Sequence, residues 1–152
     1  MSMSYSYYPL IAYLIALIIA QAIKPFIMLI KTGEFKISYL IASGGYPSSH
    51  SSSVVALCLS TGLKEGFDST YFAITLALML IVLFDAVNVR YYSGRNISLT
   101  KQLVEDLQYI IEMKDPIYDE KFKEVLGHTK LELVAGVILG IVVSMVLYFM
   151  WR

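Results

Sequence analysis

Four apolar stretches divide the chain, and each can be weighed against the roughly 20 helical residues needed to cross the hydrocarbon core of a bilayer. The first runs from about Tyr8 to Ile30 and is broken only near its far end, by Gln21, Lys24 and Pro25. It lacks the basic leading region and small-residue cleavage site of a signal peptide, so it is expected to stay as an anchor. The second, from about Ser49 to Leu63, is short and opens on a serine cluster. That predicts a tilted or partly inserted helix packed against the others. The third, Tyr71 to Val87, is almost uninterrupted until Asp85, and the fourth, Leu131 to Trp151, is long enough to cross and carries Glu132 at its start. Between them lies the one long polar stretch, from Asn88 to Lys130. Within it Leu99, Leu103, Leu107, Ile110 and Ile111 recur at helical spacing, with Lys101, Glu105, Asp106 and Glu112 on other faces. The pattern predicts an amphipathic helix, ended by Asp115-Pro116, that packs on the core or lies along the membrane interface.

Composition fits that reading. The 152 residues are 57% hydrophobic with a mean hydropathy of +0.65. The expected fold is an all-α, polytopic membrane helix bundle of about four apolar helices plus a cytoplasmic amphipathic helix, forming one domain over residues 1–152. Formal net charge is zero, so nothing suggests a nucleic-acid partner. The single Cys58 excludes an internal disulfide and a cysteine cluster for zinc, and reads as a small apolar residue on a buried helix face. If all four segments cross, one side of the membrane holds ten basic residues: Lys24, Lys31, Lys36, Arg90, Arg95, Lys101, Lys114, Lys121, Lys123 and Lys130. The other holds two, Lys64 and Arg152. By the positive-inside rule the rich side is cytoplasmic. Tyr5, Tyr7 and Tyr8 would then lie level with Tyr148, Phe149 and Trp151 at the opposite interface.

The chemistry gathers on the basic side. Gly44 to His50 reads Gly-Gly-Tyr-Pro-Ser-Ser-His, just ahead of the apolar run from Val54. The first turn of a helix leaves backbone N–H groups unpaired and carries partial positive charge, so it holds an anion without a charged side chain. Gly44 and Gly45 let the backbone turn and approach a ligand, Ser48 or Ser49 can cap, and His50 can exchange a proton near neutral pH. A capped helix start with a surface histidine is the alternative. The same topology brings Lys24, His50, Asp85, Arg90, His128 and Glu132 to one membrane face, where ionisable groups are costly and mark function or specific pairing. His128 and Glu132 are four apart on one helix face, a spacing at which the carboxylate can orient the imidazole and raise its basicity.

These residues resemble the divergent branch of the type 2 phosphatidic acid phosphatase family, related to acid phosphatases and vanadium-dependent haloperoxidases. The resemblance covers most of the chain, through Gln21-Ala22-Ile23-Lys24, Gly44-Gly45-Tyr46-Pro47-Ser48-Ser49-His50-Ser51, Phe84-Asp85-Ala86-Val87-Asn88-Val89-Arg90 and Leu126-Gly127-His128-Thr129-Lys130-Leu131-Glu132. Pro47-Ser48-Ser49-His50 is similar to the wider family's Pro-Ser-Gly-His signature with serine in place of glycine. Arg90 and the His128 to Glu132 pair resemble the halves of its last signature, separated here by a long insertion. Of the first signature, Lys24 matches the lysine, but Lys31-Thr32 stands where Arg-Pro is expected.

The resemblance implies a lipid phosphate monoester phosphatase working in two steps. His128 would form a phosphohistidine, oriented by Glu132, while His50 protonates the departing alcohol and later activates water. Lys24, Arg90, Ser48, Ser49 and Gly45 would surround the phosphate, with Asp85 supporting Lys24 or a site histidine. No metal or other cofactor is implied, and phosphate or vanadate is the anion such a pocket would hold. A site at the rim of a bilayer suits a substrate whose tail stays in lipid. The competing reading is a lipid-phosphate or anion binding or transport protein that kept the pocket without catalysis, encouraged by the missing Arg-Pro. Haloperoxidase chemistry is a weaker third, and a homo-oligomer formed through the amphipathic helix is a fourth expectation.

Overall fold

The computed structural model describes residues 6–41, 45–111 and 130–151, and of residues 90, 91, 105, 108–111 and 130 it describes the backbone alone. Helix α1, Tyr8–Thr32, starts with proline in its first turn, where a missing N–H costs nothing. It ends at Gly33, whose φ of 74° is left-handed and lets its N–H reach the Leu29 carbonyl at 2.8 Å. One face is buried at every fourth position: Tyr8, Ala12, Ala16, Ala20 and Lys24. The alanines let a neighbouring backbone come close, and the last member of the row is a charge. Pro25, also buried, has no N–H to give the Gln21 carbonyl.

Helix α2, Ser49–Glu65, is the centre of the bundle and packs against α1, α3 and α5. Its sequence is too polar for lipid, yet Ser51, Ser52, Ser53 and Ser60 are fully or almost fully buried. Their hydroxyls turn back on the helix itself. Ser52 Oγ donates to the Ser49 carbonyl at 3.0 Å, Ser53 Oγ to that of His50 at 3.1 Å, and Thr61 Oγ1 to that of Leu57 at 2.8 Å. Bonds of this kind satisfy hydroxyls without water, so a serine-rich helix can run through an apolar bundle if the other helices shield it.

Helix α3, Thr70–Val87, is capped by Ser69, whose hydroxyl accepts from the Phe72 N–H at 3.2 Å. Tyr71, Ile74, Leu78, Leu80, Ile81 and Phe84 leave it largely exposed, as a lipid-facing helix should be. Only Asn88 separates it from α4, Val89–Ile111. The amphipathic helix is therefore present, but it begins ten residues before the Leu99 periodicity does. Its Leu99, Leu103 and Leu107 are exposed, and α3 is the element it touches most. Asp115-Pro116, expected to end it, lies outside the described residues.

Helix α5, Lys130–Trp151, crosses α2 at close range through Gly136 and Gly140. A Cβ at Gly136 would sit 2.5 Å from the Ser48 carbonyl oxygen, and one at Gly140 would overlap that of Ser52 outright. One turn on, fully buried Ser144 receives Tyr8: the phenol donates to the Ser144 carbonyl at 2.8 Å. The Tyr8 ring lies 6.3 Å from Tyr148 and 5.9 Å, edge-on, from Trp151. That is the aromatic end expected from sequence, although Tyr8 is enclosed by the bundle rather than turned to the interface.

These contacts fix an up-and-down order. Pro9, Thr61, Glu65 and Tyr71 line one hollow, which places the start of α1, the end of α2 and the start of α3 at one end. Ser48, Lys24 and Glu132 meet at the other. Helix α2, about 25 Å long at 1.5 Å per residue, thus reaches from end to end rather than entering part-way. Among the described residues three helices are long and apolar enough to cross a membrane: Tyr8–Thr32, a helical run from Thr70 into α4, and Leu131–Trp151. The chain is an integral membrane helix bundle.

Candidate functional site

Chain direction brings three helix ends together on the motif side: the last turns of α1 and the first turns of α2 and α5. Gly45 leads into α2 with φ 96°, a conformation that only glycine holds without strain, and a side chain there would point at the Lys24 stem. Ser48 is the N-cap of α2. Its hydroxyl accepts from the Ser51 N–H at 3.3 Å and from the Ser51 hydroxyl at 2.9 Å. Its own N–H donates to the Glu132 carbonyl at 3.0 Å, which ties the Pro47-Ser48 loop to the first turn of α5. Ser48, expected from the resemblance to hold phosphate, is thus engaged in building the loop.

Lys24 is the centre of the cluster. Only 2% exposed, it directs Nζ to the Ser49 hydroxyl at 3.5 Å and interacts electrostatically with Glu132. A buried ammonium is expensive to maintain unless partners or an anion compensate it. Here the compensation includes a carboxylate on α5 and a hydroxyl at the positive end of α2. One turn deeper on α1, the Gln21 side-chain oxygen is buried with no hydrogen-bond partner among the described residues. Lys31 lies over the Tyr46 ring, 5.8 Å from its centre, at the rim of the same end.

The structure therefore brings Lys24, Gly45, Ser48, Ser49 and Glu132 together. His50 is the second residue of α2 and is exposed. Asp85, partly buried near the end of α3, lines a shallow groove with Leu80, Ile81, Phe84 and Val89. Arg90 occupies the first turn of α4. Gly44 and His128 lie outside the described residues, His128 two positions before α5 begins. Sequence reasoning missed Gly136 and Gly140. Their spacing, Gly-x-x-x-Gly within an apolar segment, is the signal that marks a close helix contact.

The profile of the Divergent PAP2 family matches residues 5–143. The chain belongs to that family. The stretch takes in every clustered residue above, from Lys24 to Glu132, and stops just past the Gly136 to Gly140 contact. The chain is also 36% identical, over 149 residues, to a Bacillus subtilis (strain 168) protein described as "Uncharacterized membrane protein YuiD", with 93% of this chain and 94% of that protein covered. No solved structure matches. Family membership and the apolar helices agree on an integral membrane protein.

Proposed function

We propose that this divergent PAP2 protein is a membrane phosphatase acting on a lipid phosphate monoester. The observation that carries the reading is the buried Lys24 ammonium, set between Ser49 at the start of α2 and Glu132 on α5. A fixed cation facing a helix N-terminus is an arrangement suited to a phosphoryl group, and its position at the end of a membrane bundle suits a phosphate held at the lipid surface.

In this reading a ring nitrogen of His128 attacks phosphorus. The N–P bond forms as the ester P–O bond breaks, and His50 gives its proton to the departing alkoxide. Water, deprotonated by His50, then attacks the phosphohistidine and releases inorganic phosphate and a free imidazole. Glu132 holds the His128 ring, and Lys24, Arg90, Ser49 and the backbone around Gly45 spread the charge of the equatorial oxygens. Positioning and charge stabilisation supply most of the acceleration in such transfers. The exposure of His50 suits a group that must pass a proton to a leaving alcohol and then to water. Asp85 has a supporting part only.

The purified protein in lipid nanodiscs is expected to release inorganic phosphate from one of phosphatidate, phosphatidylglycerophosphate or a polyprenyl phosphate. His128→Ala is expected to abolish release, and His50→Ala to lower it by about 100-fold or more, the usual scale of lost general acid–base catalysis. Tight vanadate binding with no turnover across the panel would instead establish an anion-binding or transport protein.

A further inference from the structure

The chain that follows α1 folds back along it. Gly33 reverses it, and the short 3-10 helix Ile37–Ile41 packs back against α1. The Phe35 ring meets that of Phe26 edge to face, 5.7 Å between centres. Phe26 precedes Gly33 by seven positions, about 10 Å along the helix axis, so the returning segment reaches well below the end of α1. Phe26 itself is 59% exposed and, with Leu29 and Ile30, belongs to the flank that α1 turns to lipid. The returning segment adds Phe35, Ile37, Leu40 and Ile41, exposed by 52, 71, 41 and 86%. Water is a poor surrounding for so much apolar surface in seven residues, and it is continuous with a lipid-facing helix. The charged groups gather at its leading end: Lys36, the second residue of the segment, pairs with Glu34, and Lys31 lies over Tyr46 beside the Lys24 cluster.

We infer that residues 35–41 are a membrane-immersed lip, inserted in the leaflet beside the Lys24 cluster, and that anionic lipid reaches the cluster sideways along it. The acyl chains stay against Ile37, Leu40 and Ile41 while the headgroup passes Lys31 and Tyr46 towards Lys24. Lys31 and Lys36 complement an anionic headgroup at the surface, and Tyr46 supplies an amphipathic ring at the same level. The immersion stands on exposure and the Phe26 to Phe35 contact alone. The lateral route rests on the phosphatase reading above.

Immersion is tested by placing an environment-sensitive fluorophore at Ile37→Cys, and separately at Ile41→Cys, in a Cys58→Ala protein in nanodiscs, with Asp68→Cys as a water-exposed control. Brominated lipids are expected to quench both lip positions, and aqueous iodide to quench them several-fold less than the control. Iodide quenching equal to the control at both positions would overturn the lip. This readout needs no turnover, so an immersed lip on a protein that hydrolyses no lipid phosphate would sink the phosphatase reading alone. The route is tested by Ile37→Asp with Ile41→Asp. It is expected to raise KM about tenfold for long-chain phosphatidate, the scale of losing one buried aliphatic contact, and to leave KM for the dibutyryl analogue unchanged. An equal change for both substrates would overturn sideways access.

Discussion

Lys24 shows how one residue can cost stability for the sake of a site. Its α1 row is otherwise alanine and tyrosine, all fully buried, and a methionine there would continue the apolar packing. Replacing both members of a buried ion pair with uncharged side chains of similar size is often neutral or stabilising, whereas removing one leaves the other charge uncompensated. Lys24→Met combined with Glu132→Gln is therefore expected to leave the detergent melting temperature unchanged or higher, and Lys24→Met alone to lower it. Lys24→Met should also weaken vanadate binding about 10- to 100-fold, the scale of one charge-assisted hydrogen bond, as read by isothermal titration. A large loss of stability in the double variant would instead make the Lys24 to Glu132 pair a structural element of the bundle. Gln21 carries a related cost, since its buried side-chain oxygen has no partner among the described residues. Gln21→Leu should stabilise the ligand-free protein by about 1 kcal/mol in denaturant titration, because an unsatisfied carbonyl is removed. A loss of anion affinity in the same variant would assign the Gln21 amide, through its N–H donors, to the ligand.

At the scale of elements, the contact between α2 and α5 holds the site in register. Helices in lipid gain nothing from apolar burial alone, so close backbone approach is what holds them. Gly136 lies against the Ser48 carbonyl, in the same turn of chain whose N–H is bonded to Glu132, and Gly140 lies against that of Ser52. Gly136→Ala and Gly140→Ala must push the helices apart, at a cost of about 1–3 kcal/mol each on the scale of overpacking. Unfolding in mixed detergent micelles measures this. Activity should separate the two, falling further for Gly136→Ala because its clash displaces the Ser48 loop, whereas Gly140 sits one turn deeper. Equal losses would place the loop outside the machinery.

The whole molecule has two ends of unlike character, an aromatic one around Tyr8, Tyr148 and Trp151 and a basic one holding the site. Ten of the twelve Lys and Arg fall to the basic end if the chain crosses four times, and on the positive-inside rule we propose that this end is cytoplasmic. Single cysteines at Lys101 and at Asp68, both exposed, test this in a Cys58→Ala protein. A membrane-impermeant maleimide should reach Asp68→Cys in intact cells and Lys101→Cys only after the membrane is opened. Labelling of both from outside would break the up-and-down order, and a reversed pattern would overturn the orientation alone.

The sequence by itself determined the parts that depend on local periodicity and hydropathy. The ends of α1, α3 and α5 fall within two residues of the apolar stretches, because apolar length and capping residues such as Ser69 and Gly33 act over one turn of chain. The aromatic end and the meeting of Lys24, Ser49 and Glu132 were also legible, since an alternating topology needs only the number of crossings. Tertiary structure alone decided the rest. Helix α2 looks too short and polar to cross, and becomes the centre of the bundle only because three neighbours shield serines that bond to their own backbone. The Ser48 N–H is bonded to the Glu132 carbonyl on α5, and Phe35 folds back onto Phe26. Each of these rests on a partner distant along the chain, and hydropathy along one strand of sequence carries no record of which surfaces will face each other.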